Sequence, residues 1–457
     1  MTVESIGMAK KFYIQTYGCQ MNQYDSERIA QVMTRRNYVQ TDRIDAADLI
    51  LLNTCSVRDK AEQKVYSALG SWKEFKEYRD GVIIGVGGCV AQQEGENLLK
   101  RIPHLDIVFG THNIHKLPEL VAQVESAQAR PVEVTFYRDP AYMEDDHDGR
   151  THVQGAKAYV TIMQGCNKVC SFCIVPHVRG REVSRPSARI IAEIEALVSR
   201  GVKEVMLLGQ NVNSYGKLTP GEMSFAELLC RVDAIDGVER IRFTTSHAQD
   251  LSPELIEAFA TCRHLCEHLH LPVQSGSDSV LARMRRGYTR AEYLARIAAL
   301  RQRCPQVALS TDIIVGFSGE TDEEFAQTLE LLHGVEYDEI FSFMYSPRPQ
   351  TVSAKIYDDD VEERVKRERL KCVQERQQSI SLRKNRQRIG DKDEILIDGP
   401  SKLKNGQVMG RTRSNRIVNL AAPLSLVGQT VTVRIASATA NSLLGELWSE
   451  SSASSSN

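Results

Sequence analysis

Ala158-Tyr159-Val160-Thr161-Ile162-Met163 and, two residues later, Cys166-Asn167-Lys168-Val169-Cys170-Ser171-Phe172-Cys173 form the stretch that decides the fold of this 457-residue chain. The apolar run reads as a buried strand. A C-x3-C-x2-C triplet therefore stands just beyond its carboxyl end, where parallel α/β folds collect ligands. Three thiols in eight residues can converge on one metal centre, yet they supply one ligand fewer than a closed four-coordinate site needs. On a four-iron, four-sulfur cluster, three thiolates leave one iron open to a small molecule. The alternative is zinc, with His177 as fourth ligand. Structural zinc sites usually join two ligand pairs from separated segments, whereas here all four would crowd one loop. The iron-sulfur reading is preferred.

Working outward, residues 151–380 alternate strands and helices. Strands are expected at 158–163, 204–208, 240–244, 268–273, 309–315 and 340–345, each ending in polar or glycine-rich residues. That makes six βα units, two short of a closed eight-stranded barrel, and an open barrel has a mouth wide enough for a macromolecule. His247, Gln274 and Arg348 fall at strand ends and are candidates for lining that mouth, with capping of the strands as the alternative.

Residues 9–126 read as a separate parallel α/β domain with strands at Phe12-Tyr13-Ile14, Leu49-Ile50-Leu51-Leu52, Val82 to Val86 and Ile107-Val108-Phe109. Three of these four strands end near a cysteine: Cys19, Cys55 and Cys89. Any one could be a buried small residue. All three at strand ends point to a second cluster, again with one iron lacking a thiolate. Residues 127–150, which include Glu144-Asp145-Asp146-His147-Asp148-Gly149, read as an exposed linker.

A charged helix over 361–388 leads into a β-rich module, 381–448, expected to be a small all-β barrel or half-sandwich. A polar tail, 449–457, follows and is expected to be disordered. Between 380 and 417, ten Lys or Arg (383, 384, 386, 388, 392, 402, 404, 411, 413 and 416) face four acids. That local excess suggests a surface for polyanion backbone, although the whole chain carries a net charge of only −2.

Eleven cysteines without an export signal argue for a reducing compartment, the cytoplasm, and for metal ligation over disulfides. No apolar run approaches the ~20 residues of a membrane span. Cys230, Cys304 and Cys372 lie on helical patterns. Cys262 and Cys266, with His264, His268 and His270 nearby, are read as core.

With these pieces in place the chain resembles the radical S-adenosylmethionine (SAM) methylthiotransferases, and within them the MiaB-type group acting on tRNA. The resemblance rests on Tyr17-Gly18-Cys19-Gln20-Met21-Asn22 with Tyr24-Asp25-Ser26-Glu27, Asn53-Thr54-Cys55-Ser56-Val57-Arg58, Gly88-Cys89-Val90-Ala91-Gln92-Gln93, the Cys166–Cys173 loop, Gly209-Gln210-Asn211-Val212-Asn213 and His270 to Ser277. Departures from the group's pattern (Gln164, Ala248, Ser318 and Gln350) involve none of the six cysteines. The resemblance implies an N-terminal methylthiotransferase domain, a radical SAM partial (βα)6 barrel and a C-terminal RNA-binding TRAM domain. It further implies two four-iron, four-sulfur clusters: an auxiliary one on Cys19, Cys55 and Cys89, and a catalytic one on Cys166, Cys170 and Cys173.

Two SAM molecules per turnover, a low-potential electron donor such as flavodoxin or ferredoxin, and a monomeric enzyme acting on isopentenyladenosine-bearing tRNA complete the expectation. Gln210 and Asn211 sit where such barrels hold the methionine moiety of SAM, and Val315 and Gly316 where backbone passes the adenine. Ordinary loop packing is the alternative for all four. Sister groups act on threonylcarbamoyl-adenosine in tRNA or on a ribosomal-protein aspartate. A different class, an RNA-binding protein with structural clusters, is opposed by the open ligand count.

Overall fold

Every residue of Leu49–Thr54 is buried, as befits a central strand covered on both faces. The computed structural model describes residues 9–56, 59–127, 129–143, 155–401 and 406–448. The chain divides into two compact units, residues 1–152 with 163–168 and 174–189, and residues 153–162 with 169–173 and 190–457. In the first unit six parallel strands, β1 (Lys11–Thr16), β2 (Val39–Gln40), β3 (Leu49–Thr54), β4 (Ile83–Gly88), β5 (Ile107–Phe109) and β6 (Val132–Glu133), lie in the order β2-β1-β3-β4-β5-β6. Successive side chains serve opposite faces. Leu49 and Leu51 pack with Phe12, Ile29 and Met33, while Ile50 and Leu52 pack with Leu69, Trp72 and Val90.

Two differences from expectation stand out here. The edge strands β2 and β6 have only two residues each, too short for an apolar pattern to register. Within the stretch 127–150 read as a linker, residues 129–143 are part of the fold: β6 extends the sheet, and Tyr142 and Met143 are buried. Its acidic average hid a few apolar anchors. The acidic run 144–150, the strand-adjacent Val57 and Arg58, and the tail 449–457 lie outside the described residues.

The second unit opens with β7 (Lys157–Thr161). A short antiparallel pair, β8 (Met163–Gln164) and β9 (Val183–Ser184), belongs to the first. Then come β10 (Glu204–Leu208), β11 (Arg240–Phe243), β12 (His268–His270), β13 (Ala308–Val315) and β14 (Glu339–Met344). β7, β10 and β11 pair in parallel, as do β12, β13 and β14, and the bridge between Ile241 and Leu265 joins the two triplets. This is the expected six-stranded partial barrel.

After the helix Glu363–Arg386, five strands close a small barrel: β15 (Lys392–Pro400), β16 (Gln407–Thr412), β17 (Ile417–Ala421), β18 (Thr430–Ala438) and β19 (Leu443–Leu447). Ile395, Ile397, Val408, Val418, Leu420, Val433, Ile435 and Leu443 fill it. Alternation along β16, with Val408, Gly410 and Thr412 inward, is what half-buried strands dictate.

The small barrel seats on the amino ends of the larger barrel's strands. Buried Arg240 donates to the Arg411 carbonyl at 2.6 Å, and buried Arg242 to the carbonyls of Thr412 and Arg413 at 2.7 and 3.0 Å. Arg413 answers with ion pairs to Glu267, and Arg416 with one to Asp338 at 2.6 Å. Six of the ten basic residues between 380 and 417 therefore engage acids within the chain, and Lys402 and Lys404 lie outside the described residues. Arg383 pairs with Glu336, Lys384 with Asp338, Arg388 with Asp391 and Asp393, and Arg411 with Asp398. A count of charges along the chain cannot distinguish a solvated face from one that glues two modules together.

Candidate metal centres

Cys19, Cys55 and Cys89 stand at the carboxyl ends of three adjacent strands, β1, β3 and β4. Their motif neighbours interlock. Asn22 donates to the Thr54 carbonyl at 2.9 Å and accepts from the Cys19 backbone at 3.3 Å, while Asn53 donates to the Asn22 carbonyl at 2.8 Å. Thr54 donates to the Gly87 carbonyl at 2.6 Å and accepts from the Val90 backbone. Glycine is required at two of the crossings. A Cβ on Gly18 would lie 2.2 Å from Asn22 Oδ1 and 2.8 Å from Cys55 Cβ, and one on Gly88, whose φ is +90°, 2.5 Å from the Thr54 carbonyl. The strings quoted from the sequence are thus a hydrogen-bonded clasp that draws three strand ends together.

Cys55 and Cys89 are buried and Cys19 reaches the surface. A hydrogen bond with Cys55 is the main reason that the Cys19 thiol is held down to about 6, against desolvation, and the charge of Arg179 adds to it. Burial pushes the Cys89 thiol up, opposed by the same Arg179. This arginine ends the short helix Val175–Arg179, is 3% exposed, and pairs with buried Asp25 at 2.6 Å. Its carbonyl accepts from His112 Nε2 at 2.9 Å. Because His112 Nδ1 accepts the Tyr137 backbone N–H, Nε2 carries the proton. Burial lowers the His112 pKa to about 4, so the ring is neutral and stacks on Tyr142 with centroids 4.4 Å apart.

The second set occupies the loop between β8 and the helix Val175–Arg179. At its start Gly165 has φ +82°, and a Cβ there would meet the Arg181 carbonyl at 2.0 Å. The Cys166 backbone donates to the Gly180 carbonyl, and its sulfur accepts from the Lys168 backbone at 3.4 Å. Farther along, Ser171 anchors the loop. Its backbone donates to the Met284 carbonyl, its hydroxyl to the Arg283 carbonyl at 2.8 Å, and its own carbonyl accepts from Ser353. Cys170 Sγ accepts from Arg286 Nη1 at 3.2 Å and lies 3.9 Å from His247 Nε2. Arg286 is buried and also bonded to the Pro272 carbonyl and Tyr288.

His247 is held by Asn213 through two bonds, 2.8 and 3.0 Å, which accounts for the last residue of Gly209–Asn213. Asn211 donates to Asp250 at 2.8 Å and leaves Oδ1 buried without a partner among the described residues. Gln274 Oε1, Ser246 Oγ and Ser318 Oγ, at three other strand ends, are likewise buried and unpartnered among the described residues. Val315 ends β13, and Gly316 packs against Lys366 where a Cβ would come within 2.3 Å. Unsatisfied buried polar atoms around a strand-end ring are what a polar small molecule would complete. Gln350, standing where the resembling group has glycine, adopts a left-handed φ of +78°.

Both thiol sets fit clusters in donor chemistry. Among the described residues no three His, Cys, Asp or Glu side chains are grouped as for a single metal ion. A cubane spreads its thiolates over separate irons and does not need that grouping. The zinc alternative loses its fourth ligand, because His177 is exposed on a helix. Cys262 and Cys266 are buried as expected, Cys262 with its sulfur 3.5 Å from that of Cys230. Arg179, Asp25 and Arg286 escaped the sequence reading. Arginines at no fixed spacing from a thiol give no pattern, and only Asp25 fell within a quoted string.

Three family models match: Uncharacterized protein family UPF0004 over residues 11–110, the Radical SAM superfamily over 160–332 and the TRAM domain over 386–448. Proteins named tRNA-2-methylthio-N(6)-dimethylallyladenosine synthase from Geobacter metallireducens and Geotalea uraniireducens are each 53% identical, over 96% of this chain and 98% and 99% of theirs. One of the same name from Legionella pneumophila is 48% identical over 96% of this chain and 98% of its own. Among solved structures, the radical S-adenosylmethionine methyltransferase TsrM from Kitasatospora setae, with cobalamin and a four-iron, four-sulfur cluster bound, shares the fold. Its TM-score is 0.57 at 13% identity, covering 76% of this chain and 74% of that one.

Proposed function

This chain belongs to the tRNA-2-methylthio-N(6)-dimethylallyladenosine synthase family, and from that premise we propose that it adds a methylthio group to carbon 2 of isopentenyladenosine beside the anticodon of tRNA. The observation that carries the reading is the pair of three-thiol sets, one on the loop after β8, where Cys170 accepts from buried Arg286, and one at the strand ends of the N-terminal sheet, within the field of buried Arg179. Cys166, Cys170 and Cys173 hold the catalytic cluster, and Cys19, Cys55 and Cys89 the auxiliary one. Gln210, Asn211, Val315 and Gly316 hold SAM, two molecules of which are consumed per turnover.

No general base removes hydrogen from an unactivated aromatic carbon; cluster and SAM, when bound, supply the radical chemistry that does. The protein's own part is positional. Arg286 holds Cys170 in place and presents an N–H to its sulfur. Asn213 and His247 fix the neighbouring strand-end loop. The Gly18–Asn22 clasp aligns the auxiliary thiols. The β15–β19 barrel presents tRNA through residues other than the arginines that hold it to the larger barrel. A reductant such as flavodoxin or ferredoxin, a cytoplasmic location and a monomeric state complete the proposal. Among the described residues no helix is long and apolar enough to cross a membrane.

Mass spectrometry of tRNA nucleosides from cells with and without the gene tests it. Loss of the methylthio-isopentenyl nucleoside with accumulation of isopentenyladenosine is expected. An unchanged isopentenyl pool would overturn the assignment.

A further inference from the structure

Arg179 has more donors than partners. Nη2 is on Asp25 at 2.6 Å, whereas Nη1 is buried with no hydrogen-bond partner among the described residues, in a guanidinium that is 3% exposed. An unsatisfied buried donor on a fixed cation is costly, and an anion in that place removes the cost. The surroundings select the anion's chemistry. Cys89 packs against Ile174 and Val178, which lead into and lie on the short helix that Arg179 ends, so a ligand on the iron beside these thiols enters next to the guanidinium, and its charge is felt at Cys19 and Cys89. Asp25 holds the fork from behind and is itself buried, which prevents the guanidinium from turning away.

We propose that Arg179 is a binding residue for an anionic sulfur ligand, a hydrosulfide or an alkylthiolate, on the iron that Cys19, Cys55 and Cys89 leave open. The inference rests on the auxiliary-cluster reading above and adds to it the protein group that receives the incoming sulfur. An arginine N–H directed to a thiolate is a charge-assisted bond, stronger than a neutral one, and here it forms where water does not compete. A lysine retains the charge but, as a compact ammonium, cannot hold Asp25 and reach the ligand with the same fork.

The test uses the full chain with Cys166, Cys170 and Cys173 replaced by Ala, so that only the auxiliary cluster loads. Iron per chain is measured first, then the paramagnetic resonance spectrum of the reduced cluster during titration with sodium methanethiolate. In R179M the cluster is retained and the methanethiolate affinity falls at least tenfold, about 1.4 kcal/mol. R179K falls between R179M and the parent. Should R179M fail to fold, the R179K comparison decides alone. Parental affinity in a variant with parental iron content overturns the role of Arg179 and leaves the cluster assignment standing. A parent chain that loads no iron overturns the auxiliary cluster and this inference together.

Discussion

The two sets of three cysteines arrive at the same donor count by opposite routes. Cys166, Cys170 and Cys173 share eight residues of one loop, and their placement depends on local turn chemistry: a left-handed Gly165 and the anchoring of Ser171. Cys19, Cys55 and Cys89 span 71 positions and meet only because β1, β3 and β4 are adjacent in register. The first set is a property of a segment, the second a property of a sheet. They differ in the same way in what stands behind them. Arg286 donates directly to a thiol at 3.2 Å, while Arg179 keeps a buried donor without a partner among the described residues.

The largest effect separates the two functionally. Cys170→Ala should abolish SAM cleavage, whereas Cys55→Ala should retain it and transfer no sulfur. Each should lower iron from about eight to about four per chain. Deoxyadenosine and product assayed beside iron content check this, and equal loss of both activities in Cys55→Ala would erase the functional distinction.

Backbone substitutions come next. Gly165→Ala places a Cβ against the Arg181 carbonyl in a left-handed conformation and should cost about 3 kcal/mol, with loss of the loop's iron alone. Gly18→Ala should remove the other half by driving Asn22 and Cys55 apart. Urea titration of iron-free protein, with iron analysis after reconstitution, reads both. If either glycine variant lost all its iron, the two sets would not be independent.

Smaller still is the contrast between anchors. Asn22→Ala strands the Thr54 carbonyl and the Cys19 backbone N–H at two strand ends and should cost about 2–3 kcal/mol, while Ser171→Ala deletes one hydroxyl bond, about 1 kcal/mol. Arg286→Met should give the smallest change. Removing an N–H···S bond that favours the more negative, reduced cluster should lower its potential by tens of millivolts, about 60 mV for each tenfold change in the one-electron equilibrium. A redox titration in which the potential rises instead would show that Arg286 serves geometry and not charge.

Much of the architecture was legible. Apolar runs located four of the six strands of the N-terminal sheet and all six of the partial barrel, because buried parallel strands are written as continuous apolar stretches. The misses included the two-residue strands β2, β6 and β9, which carry too few residues to make a pattern. The basic segment had a second role that its charge count did not show. Arg413 and Arg416 face acids at the amino ends of the larger barrel's strands, and nothing local in the chain announces that.

By itself the sequence determined which thiols exist, how they are spaced, and that one set lies on a loop and the other at strand ends. Those properties follow from residue order and from the two-residue period of strands. Only the tertiary structure decided which cations meet which anions: Arg179 beside Cys19 and Cys89, Arg286 beneath Cys170, Arg240 and Arg242 under the small barrel. A buried charge takes its partner from whatever packing brings within a few ångströms, and that distance has no counterpart in separation along the chain.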